Sequence, residues 1–586
     1  MTTSRDVLAM LSELVTLTGL DEGSPQSFKV RAYEKAGLSL ESDGRDITTL
    51  PMKELVKIDG VGKATASKIV EFVETGKVEK LETLRAKYPP EFVELSRIPG
   101  LGPKTLMLVR SELGIENVEQ LKQAIEDEKL RTLPGLGETS EAKISKSIER
   151  LGLTGKDRRT PIADALPLAE RLVEDLLSLP ATVDARFCGS LRRMSETIGD
   201  IDITVSSLEP AAVMKHVVNH HEVADIVVNG ETKTSFLTAA GLQIDVRVVA
   251  PEQFGAATLY FTGSKAHNIA LRQRAIDQNM LLNEYGLIDA SNDELEPSDR
   301  PVVASHTEQE IYEALGLEYV PAPLREGKGE VDAAGGDGLP ALIQRNDIRG
   351  DLHYHTARSG DGRSSVEDMV AAAAAQGYDY LAITDHGVDL AINGSTAEEM
   401  LEHREHIAEV AKSYPNMTLL WGCELNIDGK GGLDYDDDFR ALFDYTVASV
   451  HSHYDQTIPQ QTDRLIAAIA DPTVNSIGHL TGRYIGRRPG IELDYDAVID
   501  ALVHYDVALE VNGALQRLDA ASDVVRKAVD KNVKLVINTD SHHTSELGRM
   551  EYGVRTAQRG WAPRDLVVNT WDKETFLSWA RSRKES

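Results

Sequence analysis

The alternation of apolar and polar positions changes character along the chain. In the first 150 residues apolar side chains recur at helical spacing, as in Ala64-Thr-Ala-Ser-Lys-Ile-Val-Glu-Phe-Val73, which predicts amphipathic helices. A further helical stretch runs from Pro167 to roughly Leu177. Short β-branched runs then take over: Thr182-Val-Asp-Ala-Arg-Phe-Cys188, Asp200-Ile-Asp-Ile-Thr-Val205 and Leu242-Gln-Ile-Asp-Val-Arg-Val-Val249 read as strands. In the last 240 residues apolar runs that break into polar ones, such as Asp379-Tyr-Leu-Ala-Ile-Thr-Asp-His386 and Lys534-Leu-Val-Ile-Asn-Thr-Asp540, alternate with helical segments. Seven such units predict a parallel α/β barrel with its site at the C-terminal ends of the strands. Before it, residues 321–346 carry Pro321-Ala-Pro323, charged residues and a run ending Gly-Gly-Asp-Gly338, the composition of a compliant linker.

Three copies of one small pattern organise the helical region: Ile58-Asp-Gly-Val-Gly62, Ile98-Pro-Gly-Leu-Gly102 and Leu133-Pro-Gly-Leu-Gly137. The glycines permit a tight turn with bare backbone, so amides at the following helix can approach a phosphate. Such contacts position DNA without reading its sequence. The repeat resembles the helix-hairpin-helix motif.

Two stretches carry candidate metal chemistry. Asp200 and Asp202 lie two apart on a predicted strand, so both carboxylates share one face. Two anions held together repel unless cations fill the gap, and Mg2+ suits them because it takes oxygen ligands from one or two carboxylates and substrate phosphates. Asp245, on the Leu242–Val249 run, is placed to face the pair from a neighbouring strand. Three acids and a phosphate are the parts of a two-metal phosphoryl-transfer site. In the barrel, His353, His355, Asp361, His386, Glu424, His451, His479, Asp540 and His542 gather at six of seven strand ends or in the loops after them. Histidine with carboxylate suits Zn2+ or Mn2+, and Glu424 is placed to bridge two ions.

The stretch "GSLRRMSETIGDIDI", Gly189 to Ile203, resembles the nucleotidyltransferase superfamily and family X DNA polymerases in particular. The block Leu259-Tyr-Phe-Thr-Gly-Ser264, continuing through Asn268 and Arg272 to Asn283-Glu-Tyr-Gly286, is similar to that family's nucleotide-binding region and thumb. The resemblance implies nucleotide contacts at Gly189, Ser190, Arg193, Arg159, Gly263, Asn268 and Arg272, sugar packing at Tyr260 and Phe261, and structural roles for Glu196 and Gly199. Ile269 stands where the family has a lysine-type template contact. The stretch "VKIDGVGKATASKIVEFVETGKVEKLETL" is similar to the small N-terminal lyase domain of DNA polymerase beta. It puts Lys68 on the Schiff-base position and Lys29, Lys63 and Lys80 where a 5′-phosphate is held, although Phe28 and Ala64 depart from the pattern. Lys29 and Lys63 would depress the Lys68 pKa by like-charge repulsion. "GDLHYHT", "ITDHG" and "NTDSHH" resemble the polymerase and histidinol phosphatase (PHP) family, with up to three metal ions on nine ligands. His453 and His543 lie beside ligands, and Arg483 and Arg487 are candidates to meet substrate phosphate.

The combined resemblance is to bacterial and archaeal family X DNA polymerases with a C-terminal PHP domain. It implies six segments: a lyase-like helical domain with the first hairpin (1–90), further helix-hairpin-helix repeats (91–155), an α+β nucleotidyltransferase palm (156–250), a thumb (251–320), a linker (321–346) and the PHP barrel (347–586). It further implies gap filling from dNTPs on gapped or primer-template DNA, a 3′–5′ exonuclease and an abasic-site endonuclease. A PHP phosphatase for small molecules, an inert DNA scaffold and a template-independent nucleotidyltransferase are the alternatives.

Composition changes this picture little. The 586 residues carry a formal net charge of −31, awkward for a protein that must neutralise phosphates. Residues 1–150, however, hold 22 basic and 25 acidic side chains, against 24 and 39 in residues 347–586. The near-neutral end is therefore the candidate for DNA contact. The acid excess resembles that of proteins adapted to a high-salt cytoplasm; an acidic surface for solubility explains it as well. No apolar run approaches a membrane span, and Met-Thr-Thr-Ser-Arg-Asp at the start has no signal core, so a cytoplasmic monomer is expected. Cys188 and Cys423 fall in separate segments and are expected to be buried thiols rather than a disulfide.

Overall fold

The structure, a computed structural model, describes all residues except 1–3, 25–26, 44–46, 59, 99–100, 151–158, 292–299, 391–393 and 586. The chain divides into two compact units, one of Met1–Arg158 with Gly486–Pro489 and one holding the remainder. Among the described residues no helix is long and apolar enough to cross a membrane.

The described elements between residues 4 and 150 are all helices. The helix expected from Ala64 to Val73 spans Lys63–Thr75 and stops at Gly76, whose φ of +70° closes the last turn. Its buried face, with Ala66 and Ile69, joins Leu14, Leu81, Leu84, Phe92, Leu106, Val109 and Leu121 in one core. The three glycine turns share one backbone solution. Val61 N donates to the Ile58 carbonyl, Leu101 N to Ile98 and Leu136 N to Leu133, each at 3.0 Å. Helices then start at Lys63, Pro103 and Glu138, and the first two, Lys63–Thr75 and Pro103–Leu113, begin at Gly62 and Gly102. Asp59, Pro99 and Gly100 of these motifs, and the expected boundary at 155/156, lie outside the described residues.

The second unit opens with a two-residue strand, Thr160–Pro161, paired with Thr197–Ile198, and with the helix Ile162–Leu177, which starts five residues before the expected Pro167 and carries that proline inside it. Five longer strands make the first sheet: β1 (Asp184–Phe187), β2 (Asp200–Ser206), β3 (Asp225–Asn229), β4 (Lys233–Leu237) and β5 (Gln243–Val249). They form one sheet in the order β1-β2-β5-β4-β3, with β2 and β5 parallel and the other pairs antiparallel. Ile201, Ile203, Val205, Ile244, Val246 and Val248 put their alternate positions into a core shared with Leu166, Ala169 and Leu172 of the helix. Next come the helices Phe254–Thr262 and Lys265–Asp277, then a small antiparallel sheet of β6 (Met280–Asn283), β7 (Gly286–Asp289) and β8 (Val302–Ala304), then the helix Glu308–Ala314.

Residues 321–346 are not the loose connection their composition suggested. Ala322, Pro323, Leu324 and Arg325 are buried, and a short helix Glu330–Gly335 follows. Glu330 is 0 % exposed; its carboxylate accepts from the amides of Gly327 and Lys328 and lies 2.7 Å from His267 Nδ1. Ile343 N donates to the Ala562 carbonyl, and Gln558 Nε2 donates back to the Ile343 carbonyl. Small and polar residues serve here because polar partners on both sides receive them, which composition does not reveal.

Seven strands close the chain: β9 (Gly350–Asp351), β10 (Tyr380–Ile383), β11 (Thr418–Asn426), β12 (Tyr445–Ser449), β13 (Ser476–Ile477), β14 (Ala508–Asn512) and β15 (Leu535–Asn538). They are all parallel and pair in sequence order. The ends of this sheet are drawn together beyond β9 and β15, where His355 N donates to the Ser541 carbonyl at 2.9 Å and Asp540 N to His353 at 3.1 Å. The expected seven-unit α/β barrel is therefore present. Cys188 and Cys423 are both buried free thiols, as expected.

A buried ion triad fixes the first sheet to the following helices. Arg192 donates Nη1 and Nη2 to the two Glu308 oxygens at 2.9 and 2.7 Å, and Arg325 reaches Glu308 Oε1 from the other side. Arg325 is fully buried and Glu308 nearly so. Burial would raise the Glu308 carboxyl, but the two guanidiniums hold it well below the usual carboxylate range. Glu308→Ala leaves two buried cations with no carboxylate and should cost about 3–5 kcal/mol, read as an earlier denaturant midpoint by tryptophan-independent circular dichroism.

Candidate functional site

The expected acids meet on the first sheet. Asp202 on β2 and Asp245 on β5 are direct partners in the parallel register, and Asp200 lies two residues before Asp202 on the same strand. Gly189 permits this arrangement: it adopts φ +60°, and a Cβ there would lie 2.5 Å from Asp202 Oδ2. A side chain would thus displace the carboxylate as well as strain the turn. Burial, then Asp200, then Asp245 push the Asp202 carboxyl up to about 7. Asp245 behaves oppositely. Burial would raise it, but Lys233 Nζ at 2.9 Å, Gln243 Nε2 at 2.9 Å and Ser235 hold it low. Lys233 and Gln243 were not anticipated; a lysine beside a strand acid is too common a signal to stand out.

The other expected nucleotide contacts have partners of their own. Gly189 and Ser190 begin a single helical turn, Gly189–Arg192. Arg193 donates Nε to Glu326 Oε1 at 2.8 Å and Nη1 to the Thr262 carbonyl at 2.6 Å. Arg159 is exposed and donates to the hydroxyl and carbonyl of Thr197. Tyr260 and Phe261 meet edge to face at 5.0 Å; Arg272 stacks on Tyr260 and Arg247 on Phe261, at 5.2 and 4.7 Å. Asn268 Nδ2 donates to the Tyr260 carbonyl, which fixes the aromatic pair to the next helix. Gly263 leaves room for Arg193, whose Nη1 would lie 3.4 Å from a Cβ there.

Lys68, half-buried in the first unit, donates to the Ala64 carbonyl at 3.2 Å and lies over the Tyr33 ring at 5.7 Å. Lys29 pairs with Glu22 at 2.6 Å and Lys80 with Asp21 at 3.5 Å. The repulsion expected from Lys29 is thus countered by its own carboxylate.

The barrel brings all nine expected ligands together. Glu424, 1 % exposed on β11, lies 2.9–3.3 Å from the imidazoles of His353, His355, His386, His451 and His479. Asp540 Oδ1 lies 3.4 Å from His355 and 3.7 Å from both His353 and His542, and Asp361 Oδ2 lies 3.2 Å from His386 and 3.4 Å from His542. Three subsets converge closely enough to share a cation: His355, Asp361, His386 and His542; His353, His355 and Asp540; His386, Glu424 and His451. Burial would raise the Glu424 carboxyl, yet His353, His451 and His386 hold it well below the carboxylate range. Burial would lower His386, but Glu424 and Asp361 carry it up to about 10, whereas burial takes His451 down to about 4.

The donor set fits divalent ions. His353 Nε2, His355 Nε2, Asp361 Oδ1 and Glu424 Oε1 are buried without a hydrogen-bond partner, an expense that coordination would remove. Their other atoms are oriented from behind. His353 Nδ1 lies 2.7 Å from Glu510 Oε1, and Glu510 also accepts from Asn538, Asn512 and the His479 amide. His451 Nδ1 lies 2.8 Å from Asn426 Oδ1. Glu510 was missed, though an acid inside the apolar run Ala508–Asn512 was a readable signal. His453 and His543 turn to Ser452 and Ser545 and belong to none of the three subsets. Arg483 does not face the cluster: it donates to Glu196 and to the Arg517 and Leu518 carbonyls. Arg517 comes to the ligands instead, 3.5 Å from Asp540 Oδ2, with Nη1 buried and unpartnered. Because these atoms converge only in the folded barrel, Mn2+ at about 100 times its dissociation constant should stabilise it by about 2.7 kcal/mol. Calorimetric melting checks this, and Glu424→Ala should lose most of the Mn2+-dependent gain.

Four families match the chain in succession: "Helix-hairpin-helix domain" over residues 3–78, "SAM-like Helix-hairpin-helix tandem" over 92–150, "DNA polymerase beta thumb" over 257–326 and "PHP domain" over 351–514. The chain is 36% identical over 582 residues to DNA polymerase/3'-5' exonuclease PolX of Bacillus subtilis (strain 168), covering 98% of this chain and 99% of the relative. Its barrel alone is similar to shorter proteins, among them a probable phosphatase of Acetivibrio thermocellus, 29% identical over 40% of this chain and 96% of the relative. A probable phosphatase of Caldicellulosiruptor bescii is 26% identical over 39% and 95%. With the paired acids on one sheet, the histidine-rich barrel on another and a relative matched from end to end, the chain belongs to the family X DNA polymerases that carry a C-terminal PHP domain.

Proposed function

We propose that this chain is a DNA-directed DNA polymerase and 3′–5′ exonuclease that fills gaps in DNA repair. The carrying observation is the register that sets Asp202 against Asp245 beside the Gly189 turn, in a chain aligned along 98% of its length with a relative of that name. Asp200, Asp202 and Asp245 would hold Mg2+, which supplies the positive charge that activates a primer 3′-hydroxyl and steadies the leaving pyrophosphate. Lys233 and Gln243 keep Asp245 ionised and aimed. Arg193, with Ser190, Arg159 and Arg272, binds the triphosphate; a guanidinium suits this because its planar fork meets two phosphate oxygens at once. Tyr260 and Phe261 pack against the sugar, and the glycine turns hold the DNA backbone on either side of a gap.

In the barrel the nine ligands would hold Mn2+ or Zn2+, up to three ions, which supply Lewis-acid charge for phosphodiester hydrolysis. Arg517 binds the scissile phosphate in place of the expected Arg483, and Glu510 orients His353. The same site is assigned the abasic-site cut. A small-molecule phosphatase is the second reading, favoured by the probable phosphatases that resemble the barrel. The expected outcome on a gapped duplex with a labelled primer separates the sites. Asp200→Ala with Asp202→Ala should lower extension by at least about 10³-fold while shortening of the primer persists; Glu424→Ala should do the reverse. Extension retained in the first variant removes the palm assignment. Efficient hydrolysis of a phosphate monoester by the full chain, with DNA left intact, puts the phosphatase in place of the exonuclease.

Lys68 is assigned the Schiff base with a 5′-deoxyribose phosphate, and Lys29, Lys63 and Lys80 are assigned to the 5′-phosphate. Borohydride should trap a covalent adduct on an incised abasic substrate, and Lys68→Ala should lose it; an equal yield from the variant identifies a different amine.

A further inference from the structure

Adjacent arginines in the nucleotide loop are held by two Arg–Glu–Arg triads of different reach. Arg192 shares Glu308 with Arg325, so that triad stays among the elements between Gly189 and Arg325. Arg193 shares Glu326 with Arg559, which comes from the barrel helix Arg549–Arg559. Arg559 Nη1 donates to Glu326 Oε1 at 2.6 Å and to the Arg193 carbonyl at 2.7 Å. One barrel guanidinium therefore touches the backbone of Arg193 directly and its side chain through Glu326. The three side chains are 14, 19 and 17 % exposed, so water screens them weakly.

Charge decides what this contact does. Two guanidiniums on one carboxylate leave a surplus positive charge beside Asp202, whose own titration feels Arg193. Burial would raise the Glu326 carboxyl, but Arg559 and Arg193 keep it ionised. A triphosphate arriving at Arg193 must compete with that carboxylate for the same donors and is repelled by it. Without Arg559, Glu326 would have Arg193 as its guanidinium partner and the local surplus would vanish. A second barrel arginine, Arg483, holds the same loop at Glu196 Oε1, 2.8 Å away, so the loop stays anchored when Arg559 is altered.

We infer that the barrel completes the nucleotide site: Arg559 is a positioning residue that neutralises Glu326 and so frees Arg193 for the incoming triphosphate. This rests on the reading that Arg193 binds the triphosphate. Steady-state incorporation of one dNTP into gapped DNA by the full chain tests it. Arg559→Gln should raise the KM for dNTP by about 2- to 30-fold, with kcat changed less and with exonuclease activity in the absence of dNTPs preserved. Adding Glu326→Gln to that variant should bring KM back towards wild type, because it removes the unneutralised charge; Arg559→Lys should stay near wild type. A purely structural contact predicts the opposite, since each further loss would add damage. An unchanged KM in Arg559→Gln, or no recovery in the double variant, overturns the inference while an Arg193→Ala variant with raised KM leaves the triphosphate reading standing. If Arg193→Ala leaves KM unmoved, the triphosphate reading itself fails and this inference with it. Should Arg559→Gln melt before assay temperature, Arg559→Lys and Glu326→Gln alone decide the question: both should keep KM at or below the wild-type value.

Discussion

Glu424 is an ionised carboxylate with almost no access to water, and five imidazoles crowd its two oxygens. A charge so placed is tolerable only when opposite charge surrounds it. The barrel supplies that charge from strand ends that meet at one mouth, and it sets a second carboxylate, Glu510, behind His353 to fix the ring. The short strands, the breaks after Ile383, Ser449 and Ile477, and the bonds that draw β9 and β15 together all serve this convergence. For His353 and His451 the ring nitrogens facing away from Glu424 are held by Glu510 and Asn426, which fixes both rings with the other nitrogen towards the carboxylate.

The acids of the first sheet pose the opposite problem. Asp200, Asp202 and Asp245 have a single lysine, Lys233, in ion-pair contact among the described residues, and it serves Asp245. Burial, and then the like charges of Asp200 and Asp245, raise the Asp202 carboxyl to about 7. The barrel is enclosed and rich in imidazole; the sheet is open and rich in oxygen. The two donor sets therefore differ in kind: oxygen alone on the sheet, imidazole with carboxylate in the barrel.

Much of this was legible in the sequence, and the reasons are local. The Gly-x-Gly turns, the Asp-x-Asp strand and the histidines after apolar runs announce themselves because each depends on a few consecutive residues. What the sequence withheld depends on partners far along the chain. Arg193 and Arg483 look alike as phosphate ligands, and each is paired far along the chain, Arg193 with Glu326, 133 positions away, and Arg483 with Glu196, 287 positions away; Arg517 stands beside Asp540 instead. Glu330, in a stretch with the composition of a linker, is buried against His267. No pattern along the chain distinguishes a solvated glutamate from one that will meet a histidine 63 positions earlier.

The packed state of residues 321–343 bears on how extension and degradation share a substrate. A compliant tether would let either site come to the primer end. Here Leu324, Val331 and Ala334 belong to the core that holds Leu259 and Leu271, while Ile343 is bonded to Ala562 and Gln558. Arg559 and Arg483 add charged contacts across the same boundary. Moving the two sites apart would take the Arg559 and Arg483 guanidiniums from their carboxylates, although Glu326 would keep Arg193, and it would open the packing of residues 321–343, so the structure opposes separation.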